Sequence, residues 1–352
     1  MIKTKSNLLL AFIAVIALSG CGSSGGSAPE TSVPANSASN SASSPSSIAS
    51  PTSAGAAYPV SVENCGRTLT FDSAPEGVVS LWQAPTEMML ALGLDDRITA
   101  VAGNYAAFPD SIAEAAEALP VIGTSMSWPS KEVLLSEAPD LVVGQSLEGF
   151  AFDTSQGYAS VEQIEEGGAQ VYGSNLCSSA DALNMTLETP YRTLRDFGTI
   201  FGVSDRAEEF IAQMAAKKQT VVDAVKGLPT QRVAFYNGGD GPLIVLAGGI
   251  YDDAIATAGG KNVFPADSVY VSKEDFAASD ADVILVGTFE GQDFANLSDY
   301  ITTNFPDLPA VKDGRLVEIP VADTDASISV MRGLTEIANG IHPDLDLAVP
   351  AS

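Results

Sequence analysis

From residue 58 onward the apolar positions fall into two rhythms. Short apolar runs of strand length alternate with longer stretches in which apolar residues recur at helical spacing. The chain opens with a predicted hairpin, 59–64 and 67–72, joined by Cys65-Gly66. Strands then follow at 78–81, 97–102, 140–144 and 169–173. Helices are predicted between and after them at 85–92, 109–119, 130–136, 161–167 and 187–201. The rhythm restarts with strands at 232–236, 283–287 and 315–320 and helices at 252–258, 273–278, 294–304 and 328–341. Strands alternating with helices predict mostly parallel sheets, an α/β fold.

Between the two series lies one long amphipathic helix, 204–226, with Ala207, Phe210, Ile211, Met214, Val221, Val222 and Val225 on one stripe. Ser204 is a candidate cap, and Gly227 and Pro229 stop the helix. At 1.5 Å per residue it is roughly 34 Å long. A rigid rod between two alternating series predicts two Rossmann-like lobes with a cleft between them. An ordinary packed helix inside one large α/β domain has the same pattern. The halves also echo one another: SKEVLLSEAPDLVVG begins at Ser130 and SKEDFAASDADVILVG at Ser272. Ser130 aligns with Ser272, Glu132 with Glu274 and Asp140 with Asp282 at one constant offset, which favours two lobes of like design.

The first residues change the picture. Lys3 and Lys5 precede an apolar run, 8–18, of signal-peptide length, and the run ends at Ser19-Gly20-Cys21. This resembles a lipobox, with 1–20 removed and Cys21 lipidated. Residues 21–57 are almost wholly Ser, Ala, Pro and Gly, a composition that buries no core and reads as a disordered tether. The expected organisation is therefore a signal peptide (1–20), a tether (21–57), an N-terminal lobe (58–203), the interlobe helix (204–226) and a C-terminal lobe (227–352). The net charge of −27 makes nucleic acid and anionic membrane surfaces poor partners. With Cys21 taken by lipid, Cys65 and Cys177 remain, and an oxidising compartment invites them to bond; two free buried thiols are the alternative. His342 is the one histidine, so no histidine-rich metal site can be built, and a structural or surface role suits it best.

Taken in order, VENCGRTLTFDSAPEGVVSL (62–81), PTEMMLALGLDDRITAVAG (85–103), SKEVLLSEAPDLVV (130–143), LRDFGTIFGVSDRAEEF (194–210), AGGKNVF (258–264), VSKEDFAASDADVIL (271–285) and GIHP (340–343) resemble one family. It is the substrate-binding lipoproteins of ABC importers for ferric siderophores, haem or vitamin B12. The resemblance implies two α/β lobes joined by one long rigid helix, a monomer anchored by lipid on the extracytoplasmic face. Its expected partners are an iron chelate, an ABC permease and that permease's ATPase. It also implies that Glu132 and Glu274, one per lobe, dock onto the permease. The ligand is expected between the lobes, against loops that follow strands. Candidate contacts are Trp82, Gln83, Tyr105, Trp128 and Tyr158 from the first lobe, and Tyr236, Asp240, Tyr270 and Arg332 from the second. Taken singly, each is better explained by packing than by contact, Trp82 and Trp128 least so, and Arg332 equally by a salt bridge.

Only Arg332 among the arginines falls where it can reach the cleft, which argues against a strongly anionic catecholate complex. A ferric hydroxamate is the favoured ligand and a corrinoid the next. Haem is kept open by Tyr105, Tyr158, Tyr236 and Tyr270 as axial candidates. The metal arrives inside its chelate, so neither a protein metal site nor a cofactor is expected. Without a Gly-x-Ser-x-Gly elbow, a Walker loop or a histidine-based metal motif, an enzyme such as an extracellular hydrolase is the remote alternative.

Overall fold

The computed structural model describes residues 57–125 and 127–350. The leader, Cys21 and nearly all of the tether lie outside them. An antiparallel hairpin, β1 (Val60–Asn64) and β2 (Arg67–Phe71), opens the described chain. Its two turn residues, Cys65 (φ 55°) and Gly66 (φ 73°), are both left-handed, as a two-residue turn matched to strand twist requires. The Asn64 side chain then pairs with both backbone groups of Gly173. Cys65 is bonded to Cys177 with the Cα atoms 5.1 Å apart, so the hairpin is stapled to the end of the first lobe.

The first lobe is built on β3 (Val78–Ser80), β4 (Ile98–Val101), β5 (Leu141–Gly144) and β6 (Gln170–Gly173), all parallel, in the order β4-β3-β5-β6. Its helices are α1 (Gln83–Ala91), α2 (Asp110–Glu117), α3 (Lys131–Ser136), α4 (Val161–Glu166) and α5 (Thr189–Ile200). After α6 (Ser204–Val225) the second lobe contains β7 (Gln231–Tyr236), β8 (Leu243–Ile244), α7 (Gly249–Thr257), β9 (Gly260–Asn262) and β10 (Tyr270–Val271). It continues through α8 (Lys273–Ala277), β11 (Val283–Thr288), α9 (Phe294–Asn304), α10 (Pro309–Lys312), β12 (Leu316–Pro320) and α11 (Val330–Ile341). Its parallel sheet runs β9-β7-β11-β12, and β8 and β10 form a small antiparallel pair. The central strands β5 and β11 are buried along their whole length, as strands covered on both faces must be.

The two sheets share one strand order, and the internal echo extends to atoms. Ser130 and Ser272 each cap the helix that follows, accepting from the backbone N–H of Val133 and of Asp275. Asp140 accepts from the N–H groups of Glu76 and Gly77, and Asp282 from that of Arg232, so each carboxylate ties the approach to β5 or β11 to its lobe's first strand. Ala138 and Asp280, both non-glycine residues at positive φ, occupy the same place in the two loops.

α6 buries Ala207, Ile211, Met214 and Val221 and leaves its other side to water. Burial of each larger apolar side chain contributes about 1.5–3 kcal/mol. Ser204 is the first helical residue rather than the cap: Val203 holds the cap position, where its side chain has no acceptor to offer, and its backbone N–H closes onto the Gly198 carbonyl. The rod does not join the lobes alone. One apolar core runs from Val78 and Leu141 through Leu194, Phe197, Ala207 and Ile211 to Ile255, Val283 and Leu334. α6 is thus part of a helix layer, with α5, α7 and α11, that both sheets share. His342 is buried beside Gly259, a structural histidine.

Candidate functional site

In parallel α/β sheets, ligands gather outside the carboxyl ends of the strands. Here β3 leads to Trp82, β4 leads to Tyr105, and the chain after β5 carries Phe150 and Tyr158. Trp128 lies in the segment feeding α3. These five rings form one shelf. Trp82 lies 6.1 Å from Trp128 in a near-parallel stack, 5.1 Å from Tyr105 and 6.0 Å from Phe150. Trp128 is 5.9 Å from both Phe150 and Tyr158. The Trp128 indole N–H donates to the Leu81 carbonyl at 2.8 Å, which fixes its ring. Phe150 is 55% exposed and sits at positive φ after Gly149, so the loop thrusts an apolar ring into solvent over the two tryptophans. About 10 Å³ of space remains between Trp82, Trp128 and Phe150.

The second lobe meets the shelf through 321–329, the loop ahead of α11. Asp325 Oδ2 accepts from the Trp82 indole N–H at 3.0 Å and from the Tyr105 hydroxyl at 2.7 Å. Asp325 Oδ1 accepts from the Ala326 N–H. Burial first, and then the Asp325 charge, pushes the Tyr105 hydroxyl well above its ordinary pKa and raises Tyr251 to about 12. Ser329, the residue just ahead of α11, donates to Glu87 Oε2 at 3.0 Å, another bond between the lobes. Glu87 is 2% exposed, and burial holds its carboxyl up at about 7.

The remaining candidates are placed as follows. Gln83 does not face the cleft. α1 begins at Gln83 instead of Pro85, so the side chain is buried, donating to Glu87 and accepting from the N–H groups of Tyr105 and Ala106 at 2.9 Å. It holds the Tyr105 loop. Tyr236 is also interior: β7 is a central strand, and the ring packs on Phe276 and Tyr300 while its hydroxyl donates to the Gly239 carbonyl. Neither residue joins the shelf. Asp240 is exposed, and Tyr270 is 57% exposed on the β8–β10 pair. Arg332 is bonded to the buried Asp323 of its own lobe, so its charge is already paired.

Glu132 and Glu274 are exposed in the first turns of α3 and α8. The Ser130 hydroxyl donates to Glu132, and its carboxyl lies below the ordinary range, held by its own backbone N–H and by Ser130. Sequence reasoning missed Asp325, Glu87 and Phe150. Phe150 alone carried a signal, an aromatic beside a glycine in the loop that also carries the candidate Tyr158. A separate cavity of about 460 Å³ beside the disulfide is walled by first-lobe residues alone, among them Asn175, Asp181 and Arg192. No group of three or more His, Cys, Asp or Glu able to hold a metal ion occurs among the described residues.

The chain as a whole has relatives. An uncharacterised ABC transporter substrate-binding lipoprotein of Bacillus subtilis is 20% identical over 293 residues, 82% of this chain and 87% of that one. A periplasmic binding protein from Veillonella parvula superposes with a TM-score of 0.71 at 26% identity, covering 81% of this chain and 97% of that one. An ABC-type Fe³⁺-hydroxamate transport protein from Saccharomonospora viridis gives 0.66 at 24%, covering 81% and 100%. A periplasmic haem-binding protein from Roseiflexus gives 0.60 at 25%, covering 76% and 98%. With residues 78–322 matching the family described as periplasmic binding protein, both parallel sheets and the helices α5, α6 and α7 included, the chain belongs to the periplasmic binding protein family.

Proposed function

We propose that this protein is the extracytoplasmic substrate-binding component of an ABC importer, held to the membrane through a lipidated Cys21, and that it captures an iron chelate between its lobes. It is a carrier, not an enzyme. The observation that carries the reading is the shelf of five aromatic rings at the strand ends of one lobe, faced by Asp325 of the other. Such rings offer broad apolar faces to a bulky organic ligand. The shelf leaves about 10 Å³ free, so a chelate enters by parting the rings and the Asp325 contacts. The helix layer with its shared core limits that parting to a small movement.

Arg332 is spent on Asp323, so the cleft offers no free guanidinium to a highly anionic catecholate complex. A hydroxamate-type chelate is favoured. Haem is the second reading, carried by Tyr105 on the shelf, whose hydroxyl is already set against a carboxylate. Titration of the Trp82 and Trp128 fluorescence with ferric hydroxamates, ferric catecholates, haem and cobalamin separates these readings. Saturable quenching by a ferric hydroxamate at equimolar protein is expected. Quenching by catecholates alone would overturn the charge argument, and no quenching by any of the four would overturn the reading itself.

A further inference from the structure

We infer that the ligand presents a protonated amine to the cleft, received by the Asp325 carboxylate against the aromatic shelf. The inference rests on the chelate reading above and adds the charge of its substrate. The loops at the carboxyl ends of the two sheets, 81–82, 102–109, 145–160, 237–248, 289–293 and 321–329, contain no Lys, Arg or His. They do contain acids, among them Glu148, Asp153, Asp240, Glu290 and Asp325, besides Asp323, whose charge Arg332 balances. A cleft lined by one sign of charge concentrates ligands of the other sign.

Asp325 is where that field reaches the shelf. Its oxygens accept only from neutral donors: the Trp82 indole, the Tyr105 hydroxyl and the Ala326 N–H. No Lys, Arg or His makes an ion pair with it among the described residues. Arg332, in the first turn of α11 beyond this loop, is bound to Asp323 instead. The half-buried Asp325 charge therefore bears on Glu87, Tyr105 and Tyr251, and it raises the pKa of all three. A cation brought in by the ligand relieves this repulsion and forms a charge-assisted hydrogen bond. The adjoining ring faces of Trp82, Trp128 and Tyr105 favour a cation as well. One carboxylate among aromatic faces suits an organic ammonium group; a bare divalent ion would need several oxygen ligands.

The test compares three probes on the intact folded protein by tryptophan fluorescence. The first is the ferric complex of a linear trihydroxamate ending in a free primary amine. The second is the same complex with that amine acetylated, equal in iron chemistry and nearly equal in size. The third is 1,5-diaminopentane, a cation without a chelate. We expect acetylation to weaken binding by at least about tenfold, the scale of one charge-assisted bond in a partly dry site. Asp325→Asn should shrink that ratio to near one. Equal affinity for the two complexes overturns the inference and leaves the chelate reading standing. Binding of the diamine but of neither complex overturns the chelate reading and leaves the cation site standing. An unchanged ratio in Asp325→Asn moves the amine away from this carboxylate and overturns the assignment. The comparison within the unmodified protein needs no variant to fold.

Discussion

Among single residues, Glu87 is one whose charge the fold opposes. It is buried in α1, with Gln83, Ser327 and Ser329 donating to it and Asp325 adding like charge from the other lobe. Arg332, itself paired with Asp323, is the cation in this neighbourhood. Burial lifts its carboxyl from 4.5 to about 7. An acid whose pKa is higher in the folded state keeps its proton longer there. Between pH 4.5 and 7, folding therefore takes up a proton, and stability falls as pH rises. Glu87→Gln, which mimics the protonated form, should raise stability at pH 8 by on the order of 2 kcal/mol. It should also flatten the dependence of denaturant midpoint on pH between 5 and 8. Some slope remains, because Glu336, lifted to about 7 by burial first and then by Asp323, titrates in the same direction. Identical slopes in the two proteins would mean that Glu87 is ionised in the native state.

Among the elements, α11 and the loop before it place the second lobe's contribution to the site. Gly333 lies in the first turn of α11, where a Cβ atom would come within 2.0 Å of the Asp323 carbonyl oxygen. Backbone cannot yield as a flexible side chain does, so Gly333→Ala must displace the segment that carries Asp325 and Ser329. We expect a loss of about 1–3 kcal/mol of stability, the usual cost of overpacking, and weakened chelate binding. Gly77→Ala is the comparison: its Cβ would find neighbours no closer than 3.8 Å, so stability and binding should stay close to wild type. Calorimetry and fluorescence titration on both variants decide it, and equal binding by the two would disconnect this loop from the site.

The same elements show what periodicity carries. The α6 stripe apart from Val222, which is exposed, the alternation of strands and helices, and the pairs Ser130/Ser272 and Asp140/Asp282 were legible because each is a local pattern. Gln83 and Tyr236 were misplaced by small boundary and depth effects: a helix starting two residues before its proline, and a strand that proves central. Asp325 was illegible. It is one acid among 44, and its meaning comes from bonds to Trp82 and Tyr105, 243 and 220 positions away in sequence.

Across the whole molecule, the repeated architecture gives each lobe one exposed glutamate in the same place. Glu132 and Glu274 stand in the first turns of α3 and α8, ahead of the equivalent strands β5 and β11. We propose that they are the two points by which the protein docks on its permease. Two like charges on separate lobes fix an orientation that a single charge cannot, provided the partner offers a cation for each. The sites are not identical. Ser130 holds the Glu132 carboxylate, whereas Ser272 donates to Asp275 and leaves Glu274 free to meet a partner. Both residues are exposed and neither touches the aromatic shelf, so Glu132→Lys and Glu274→Lys should fold normally and bind chelate with unchanged affinity. Each reversal sets like charge against like at the docking surface, at a cost of several kcal/mol. Each single variant should therefore cut uptake of radio-iron chelate by cells at least about tenfold, and the double variant should abolish it. Uptake undiminished in the double variant, with the protein present at normal levels on the membrane, would take docking away from these two glutamates. Lost uptake together with lost chelate binding would point to a damaged cleft instead, which is why both quantities are measured on the same variants.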